Sequence, residues 1–489
     1  MTVIPHPYVP SADSRMVYVA ASGNDINDGL SPLTPKKTVT AGMSLLRSGF
    51  PDWLHLRKGD IFYSGFGDLK KTGRSALEPL VITSYGEGPR PILKTGTNVG
   101  IQTQGSSGTP EVIHSIVICG LHFQAHTRLQ GSPEFTGTAG SIGVRFLRQS
   151  RDIIFDDLKL EGYLNGIVVQ DYEKKGMTNY TVRYCVVTDS YNVAGHSQGI
   201  FASGVTGLVI EDNVFDRNGY GDLPDISDDP TIYNHNLYLQ WDNSLDVIVR
   251  RNVITRAASH GCQLRSGGVF EDNFLWRNPI AFYGGYDPAV PNAVVDVRRN
   301  VILEGNDITP TLPKGWGITL KNLVSADIRE NIVAHVKTES SNRRSIETHP
   351  FATYTDNIVY DWPVKPGVGY GETLETPGPF VDPDRMLIDE YIDNEEDFIW
   401  AIRNQSRDFW NHAFSAQSLN DYFREGFASP PPPTPIPPVE PFLAEEEILV
   451  KGKDGPTGIL YRVKVIGGWL VRYGQSTTFV LDPSYSWVL

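Results

Sequence analysis

The chain has 489 residues, with 43 Lys and Arg against 57 Asp and Glu and a formal net charge of -14. That balance argues against a nucleic-acid-binding surface, which needs clustered cations, while leaving room for a local basic groove in an acidic exterior. Charged residues at 20 % and aromatics at 11 % mark a folded protein, long enough for two or more domains, and not a disordered one.

Residues 1–15 read as a loose N-terminal arm. They lack a basic stretch followed by an apolar one, so no Sec signal peptide is expected. No segment approaches the ~18 consecutive apolar residues of a membrane span, so no membrane insertion is expected. The protein is then expected inside its cell, or outside it by a route that needs no such signal, of which virion assembly followed by lysis is one. Residues 16–110 read as the start of a stack. VYVAASGNDINDGLSPLTPKKTV gives a strand, a Gly/Asn/Asp loop and a short helix over about residues 38–48 that would cap the first coil. LHLRKGDIFYSGF and PLVITSYGEGPRPIL then alternate strands with Gly and Pro turns.

From residue 111 to about 365 one pattern repeats. Six segments centre on an asparagine: IEDNVF (Asn213), VRRNVI (Asn252), FEDNFL (Asn273), VRRNVI (Asn300), IRENIV (Asn331) and YTDNIV (Asn357). The spacings of 39, 21, 27, 31 and 26 residues indicate a quasi-one-dimensional stack of coils with variable insertions. The frame extends back to Cys185, Asp157 and Gly120, giving nine coils. Asparagine tolerates the left-handed conformation a sharp bend needs, and stacked amides can hydrogen-bond along the axis, so the ladder is expected to be structural.

A second strand falls on the same frame at residues 166–170, 199–203, 236–240, 261–265, 317–321 and 345–349. Outward side chains then form columns with neighbours about 4.8 Å apart. One column is Val168, Phe201, Tyr238, Gln263, Thr319, Glu347, and another is Gln170, Ser203, Gln240, Arg265, Lys321, His349. Residues 280–286 form a further coil whose register is open. Residues 384–428 change to helical periodicity, with Phe398, Ile399, Ile402, Phe409 and Trp410 on one face of two helices packed on the stack. A proline-rich linker follows at 429–442. Residues 443–489 read as a small antiparallel β module with a Gly-Gly turn at 467–468, serving attachment, oligomerisation or carbohydrate binding. Cys119, Cys185 and Cys262 are an odd count at core positions, which speaks against a disulfide framework.

The opening YVAASGNDINDGLSPLTPKKT, the KGDIFYSGF and ITSYGEGPRPIL segments and the Asn-centred repeats resemble right-handed parallel β-helix proteins of the pectate-lyase-like superfamily. AIRNQSRDFW and LNDYFREGF are similar, more loosely, to the end of β-helix domains in tailspike-type phage proteins. The resemblance implies an all-β chain with a β-helix catalytic domain over residues 16–383. It further implies a bacterial polysaccharide as partner, and a virion-associated or extracellular protein, with a homotrimer on a virion tail as the tailspike arrangement. It carries over no catalytic residues, because the motifs of the best-known pectate and alginate lyases are absent.

The largest insertion, between Asn213 and Asn252, reads DRNGYGDLPDISDDPTIYNHNLYLQWD and crowds Asp222, Asp225, Asp228 and Asp229 beside Tyr238, Gln240 and Trp241. The next coils add His260, Gln263 and Arg265, then Tyr283, Tyr286 and Asp287. Two reactions fit this patch. A hydrolase needs paired carboxyls, from Asp225, Asp228 and Asp229 with Asp287 or Glu347 as distal partners; the same loop could instead hold calcium or be merely solvated. A lyase needs a base and a cation for a uronate carboxylate, from Tyr238, His260, Arg265 and Lys321. His235 and His260 occupy equivalent positions, where they would stack or simply bond a turn. Arg265 matches a carboxylate bidentately, and Trp241, Tyr283 and Tyr286 offer faces for sugar rings. The count of acidic candidates favours a glycoside hydrolase without cofactor, ahead of a lyase, a non-enzymatic carbohydrate-binding spike and an epimerase.

Overall fold

A computed structural model describes residues 8–104, 112–193, 195–220, 230–340, 342–363, 388–392, 394–427, 446–450, 458–465, 468–473 and 476–481. The chain divides into two units, Met1–Ser429 and Pro430–Leu489. The first contains three all-parallel sheets of twelve, eleven and ten strands. One coil shows the plan. Val205–Glu211 lies in the twelve-stranded sheet, Val214–Asp216 in the eleven-stranded sheet and Asn234–Leu239 in the ten-stranded sheet. Ile248–Arg250 then returns beside the first strand, with Val209 paired to Ile248. This winding is a right-handed parallel β-helix.

Inward side chains repeat rung on rung. Ile167, Ile200, Leu237, Cys262, Phe282 and Ile318 form one such file, every member fully buried. The stack starts earlier than the nine-coil frame, because Met16–Val19, Trp53–Arg57 and Leu80–Tyr85 are already strands of the twelve-stranded sheet. Val39–Leu45 is the capping helix, started by the Thr38 hydroxyl accepting from the Ala41 N–H. It sits so close that a Cβ on Gly42 would lie 2.4 Å from Val19 Cγ2.

The asparagines form a continuous buried ladder. Asn252 Nδ2 donates to Asn273 Oδ1 (3.0 Å) and to the Ile210 carbonyl (2.9 Å), while its own Oδ1 accepts from the N–H (3.1 Å) and Nδ2 (2.9 Å) of Asn213. Asn273, Asn300 and Asn331 repeat this pattern toward Asn357. The left-handed residue is not the asparagine, as expected, but the one before it. Asp212, Arg251, Asp272, Arg299, Glu330 and Asp356 have φ between 51° and 55°. The amide's task is to satisfy backbone groups at a bend where no strand partner reaches. Two backward rungs of the frame also shift by one residue. Pairing of Lys159 with Val186 and His122 places Leu158 and Leu121 at the asparagine position, and Asp157 (φ 57°) and Gly120 (φ 66°) at the left-handed one.

Helices Ile388–Tyr391, Glu395–Arg403 and Ala416–Phe427 cover the outer face of the eleven-stranded sheet. Phe398, Ile402, Leu419 and Phe423 pack there against Val214, Val253, Phe274 and Trp276, which is why these strands are apolar on both faces. The expected periodicity fails at Phe409 and Trp410. The helix stops at Arg403, Phe409 is 77 % exposed in a short turn, and Trp410 packs edge-on against Tyr184. The arm is not loose from residue 8 onward. Tyr8 packs with Val81, Val117 and Cys119, and its hydroxyl donates to Asp156 Oδ2 at 2.6 Å, covering an apolar patch on the twelve-stranded sheet. The second unit contains a four-stranded antiparallel sheet, Glu446–Val450, Gly458–Val465, Gly468–Tyr473 and Ser476–Leu481. The linker 429–442 and Gly467 of the expected turn lie outside the described residues. All three cysteines are free and buried, and no helix among the described residues is long and apolar enough to cross a membrane.

Removing a mid-ladder amide strands several buried groups at once, each costing about 1–3 kcal/mol. Asn273→Ala is therefore expected to lower the thermal midpoint of the β-helix more than Asn357→Ala at the end of the ladder. Melting curves of the two variants decide this, and an equal or smaller loss at Asn273 would contradict the cooperative ladder.

Candidate functional site

Charge on the twelve-stranded sheet is cancelled rung by rung. Asp156, Arg183, Glu211, Arg250, Glu271 and Arg298 alternate in sign up one column. Arg183 pairs with Asp156 (3.0 Å), Arg250 with Glu211 (2.7 Å) and Arg298 with Glu271 (2.7 Å).

The ten-stranded sheet is built differently. Its outward column reads Gln102, Arg145, Val168, Phe201, Tyr238, Gln263, Tyr283 and Thr319. Tyr283 thus fills the rung of the 280–286 segment, whose register was open. A parallel column runs Asn165, Gln198, His235, His260, Ile280, Trp316 and Arg344. Gln240 and Arg265 each stand one residue past the paired Leu239 and Leu264. Two hollows lie over this sheet. One of about 230 Å³ is lined by His235, Tyr238, His260, Arg265, Tyr283 and Trp316, among others. The other, of about 430 Å³, is lined by Arg145, Asn165, Val168, Gln198 and Phe201 among others. They share His196 and Tyr238, so a single groove runs along the sheet.

Arg265 is the centre of the smaller hollow. Its guanidinium lies 4.8 Å from the Tyr238 ring and 4.4 Å from the Tyr286 ring. Its Nη1 donates to Gln240 Oε1 at 3.2 Å, and Gln240 Nε2 donates to the Tyr238 hydroxyl at 3.1 Å. Its buried Nε has no partner among the described residues, nor has Gln263 Oε1 or His235 Nδ1. The His235 ring stacks on Tyr238 at 4.5 Å and lies 4.6 Å from the His260 ring. Ser259 Oγ donates to the Ile232 carbonyl (3.1 Å), so it accepts from His260 Nδ1 (2.8 Å). That network assigns the proton to Nδ1 and leaves the Nε2 lone pair of His260 free.

Burial, reinforced by Arg265 and Lys314, pulls the His260 pKa down to about 3. Burial, then the neighbouring His260 and Arg265, holds His235 well below the usual histidine range. Burial raises the Tyr238 hydroxyl, and burial followed by the Glu347 carboxylate raises that of Tyr283, with Arg265 opposing in both. At neutral pH the histidines are therefore uncharged and the tyrosines protonated, with Arg265 cationic between them.

The structure brings Tyr238, His235, His260, Gln263, Arg265 and Tyr283 together. Gln240, Trp241 and Tyr286 flank them. Trp241 is 49 % exposed, with its ring parallel to Tyr286 at 6.4 Å. Asp287, Lys321 and Glu347 stand farther along and answer local partners. Lys321 Nζ is 3.6 Å from Asp287, and Glu347 accepts from Arg344 (2.8 Å) and the Leu320 N–H (3.3 Å). Asp222, Asp225, Asp228 and Asp229, with the alternative calcium ligands among them, lie outside the described residues. Among the described residues no three His, Cys, Asp or Glu side chains converge on a cation site. Sequence reasoning missed Trp316, which shares the His235/His260 column, and Arg145, one coil before the first strand placed on the frame. Both were accessible from the strand frame, in WGITLK and IGVRF.

No known family and no curated protein matches the sequence. Solved structures are similar in backbone only. One titled a glycoside hydrolase has 9 % identity, covers 71 % of this chain and 96 % of that one, and has a TM-score of 0.48. An alginate lyase from Paenibacillus sp. str. FPU-7 has 14 % identity, 71 % and 99 % coverage and a TM-score of 0.42. The Dettilon tailspike protein has 10 % identity, 71 % and 68 % coverage and a TM-score of 0.41. At these identities the likeness is one of fold.

The buried histidines make the fold acid-sensitive. The folded His260 pKa of about 3 lies below its unfolded value, so the unfolded chain takes the proton first as pH falls. Its contribution is complete above about pH 6.5 and is lost progressively toward pH 3, at about 1.4 kcal/mol per pH unit. Thermal midpoints measured from pH 7 to pH 4 are expected to fall more steeply for the wild type than for His260→Gln, and parallel slopes would contradict the assignment.

Proposed function

We propose that the protein is a depolymerase of an acidic polysaccharide and cleaves it by β-elimination at a uronate. The observation that carries this reading is Arg265, a cation clasped between two tyrosine rings and held by a neutral amide, on a groove floor where it has no carboxylate partner among the described residues. A uronate carboxylate would supply that partner, bidentately and out of water. Its arrival would also offset the Arg265 charge, which after burial is the lesser cause of the low His260 pKa.

In this reading the free Nε2 of His260 takes the proton from the carbon next to the carboxylate. The released electron pair forms the ring double bond, and the bond to the leaving oxygen breaks. The Tyr238 hydroxyl, kept protonated by burial, gives its proton to that oxygen. Arg265 holds the carboxylate that stabilises the developing negative charge. Trp241 and Tyr286 would carry neighbouring sugar rings on their faces. Hydrolysis by the 221–229 carboxylates is the rival chemistry. Support for elimination over it comes from the described groove, where the buried Glu347 is held by Arg344 at 2.8 Å. That the polymer is a bacterial surface or extracellular one, met by a virion-borne protein, rests on the sequence resemblance to tailspike-type proteins.

The test is a cleavage screen on acidic bacterial exopolysaccharides that reads new reducing ends together with the ultraviolet absorbance of an unsaturated uronate. Both signals are expected. Arg265→Ala and Tyr238→Phe should each lower kcat/KM by about a hundredfold or more, with thermal midpoints close to wild type. Reducing ends without absorbance, lost in Asp225→Asn or Asp228→Asn, would replace elimination by hydrolysis.

A further inference from the structure

The groove extends beyond this centre to a second arginine built like the first. Arg145 stands four rungs before the Arg265 strand, through Val168, Phe201, Tyr238 and Gln263. Its Nε donates to Gln102 Oε1 at 3.0 Å and its Nη2 to Gln104 Oε1 at 2.6 Å. Gln102 is the rung below Arg145, as Gln240 is the rung below Arg265. Elsewhere the solenoid puts a carboxylate on that rung, as Glu211 under Arg250 and Glu271 under Arg298. A glutamine oxygen fixes a guanidinium in place and leaves its charge uncancelled. Asp68, the nearest acid to act on Arg145, accepts instead from the Gln104 N–H at 3.3 Å and makes no ion pair with it.

The floor between the two arginines is different. Val168 and Phe201 face outward in one column, Gln170 and Ser203 in the next. Asp242, accepting from Ser203 Oγ at 2.9 Å and paired with Lys174 at 3.3 Å, adds a carboxylate beside this stretch. An anionic sugar placed there would lose water and meet Asp242, with Lys174, the cation beside it, already paired to that carboxylate. Four rungs of about 4.8 Å separate the arginines by roughly 19 Å, and a pyranose in an extended chain spans about one rung.

We infer that the groove selects a polysaccharide whose acidic sugars are separated by short neutral stretches, one acidic residue on Arg265 and the next on Arg145. This rests on the reading of Arg265 as a carboxylate clamp. Arg145 is a binding and specificity residue for a charge about three neutral sugars away, and a contiguous polyuronate would set unpartnered carboxylates over Val168 and Phe201.

The full chain, with Arg145→Gln, Arg145→Lys and Arg265→Gln variants, would be titrated on an array of acidic capsular and extracellular polysaccharides of known repeat. Polygalacturonate and alginate serve as contiguous polyuronates, and gellan represents spaced charge. The wild type is expected to retain spaced-charge polymers in preference to contiguous ones. Arg145→Gln should weaken that retention about tenfold, flatten its salt dependence, and be partly rescued by Arg145→Lys. Loss of binding in Arg265→Gln with Arg145→Gln unchanged would overturn the second subsite and leave the acidic-polymer reading standing. Preference for polygalacturonate or alginate would overturn the spaced-charge rule. Indifference to both arginines, or retention of no acidic polymer, would overturn the proposed function as well.

Discussion

The molecule depends on how it closes its bends. A coil that turns between two flat sheets leaves backbone N–H and C=O groups facing inward, with no strand beside them and no water to take their place. Over the six coils from Asn213 to Asn357 one asparagine answers this. Its oxygen takes two donors from the rung on one side, while its nitrogen gives to the rung on the other side and to a strand carbonyl. Because each amide needs the next to complete its bonds, the rungs hold a common register. The outward columns inherit that register, and the groove is no more than two of those columns seen from outside.

The same fold carries two kinds of surface on one scaffold. On the twelve-stranded sheet each charge from Asp156 to Arg298 is met by its opposite one rung away, and this stretch of the column gives a set of ion pairs. On the ten-stranded sheet the corresponding places hold amides, aromatic rings and neutral histidines, and arginines remain with charge to spare. The difference is a choice of residue, Glu or Gln, in otherwise equivalent positions. It costs little in packing, yet it decides whether a surface is satisfied by itself or by something that lands on it.

Much of this was legible before any coordinates. The Asn-centred repeats marked the six coils from Asn213 to Asn357, and the second strand frame placed Tyr238, Gln263 and Arg265 in their columns and His235 beside His260. Failures came where the pattern has no unique reading. Near Leu158 and Leu121 apolar residues flank the bend on both sides, so a one-residue slip preserves the alternation. The role of the left-handed residue was given to asparagine because both it and its neighbours Asp and Arg look permissive in sequence, and only the backbone tells them apart. The last helix turn was overrun because Phe409 and Trp410 continue the apolar spacing after the backbone has left the helix. A second amide pair, Asn218 to Asn236 at 2.8 Å, was hidden by the insertion between its members.

The cysteines lie deep in the stack. Cys262 is a rung of the inward file behind the Arg265 groove, Cys185 adjoins the asparagine ladder, and Cys119 is shielded by Tyr8. Burial pushes the Cys119 thiol up to about 12 and the other two higher still. Thiolate, the reactive form, is thereby suppressed in all three. The solenoid is therefore indifferent to redox poise: it neither gains a crosslink in an oxidising medium nor loses one in a reducing medium. A chain made in one such compartment and used in the other would keep the same covalent structure throughout.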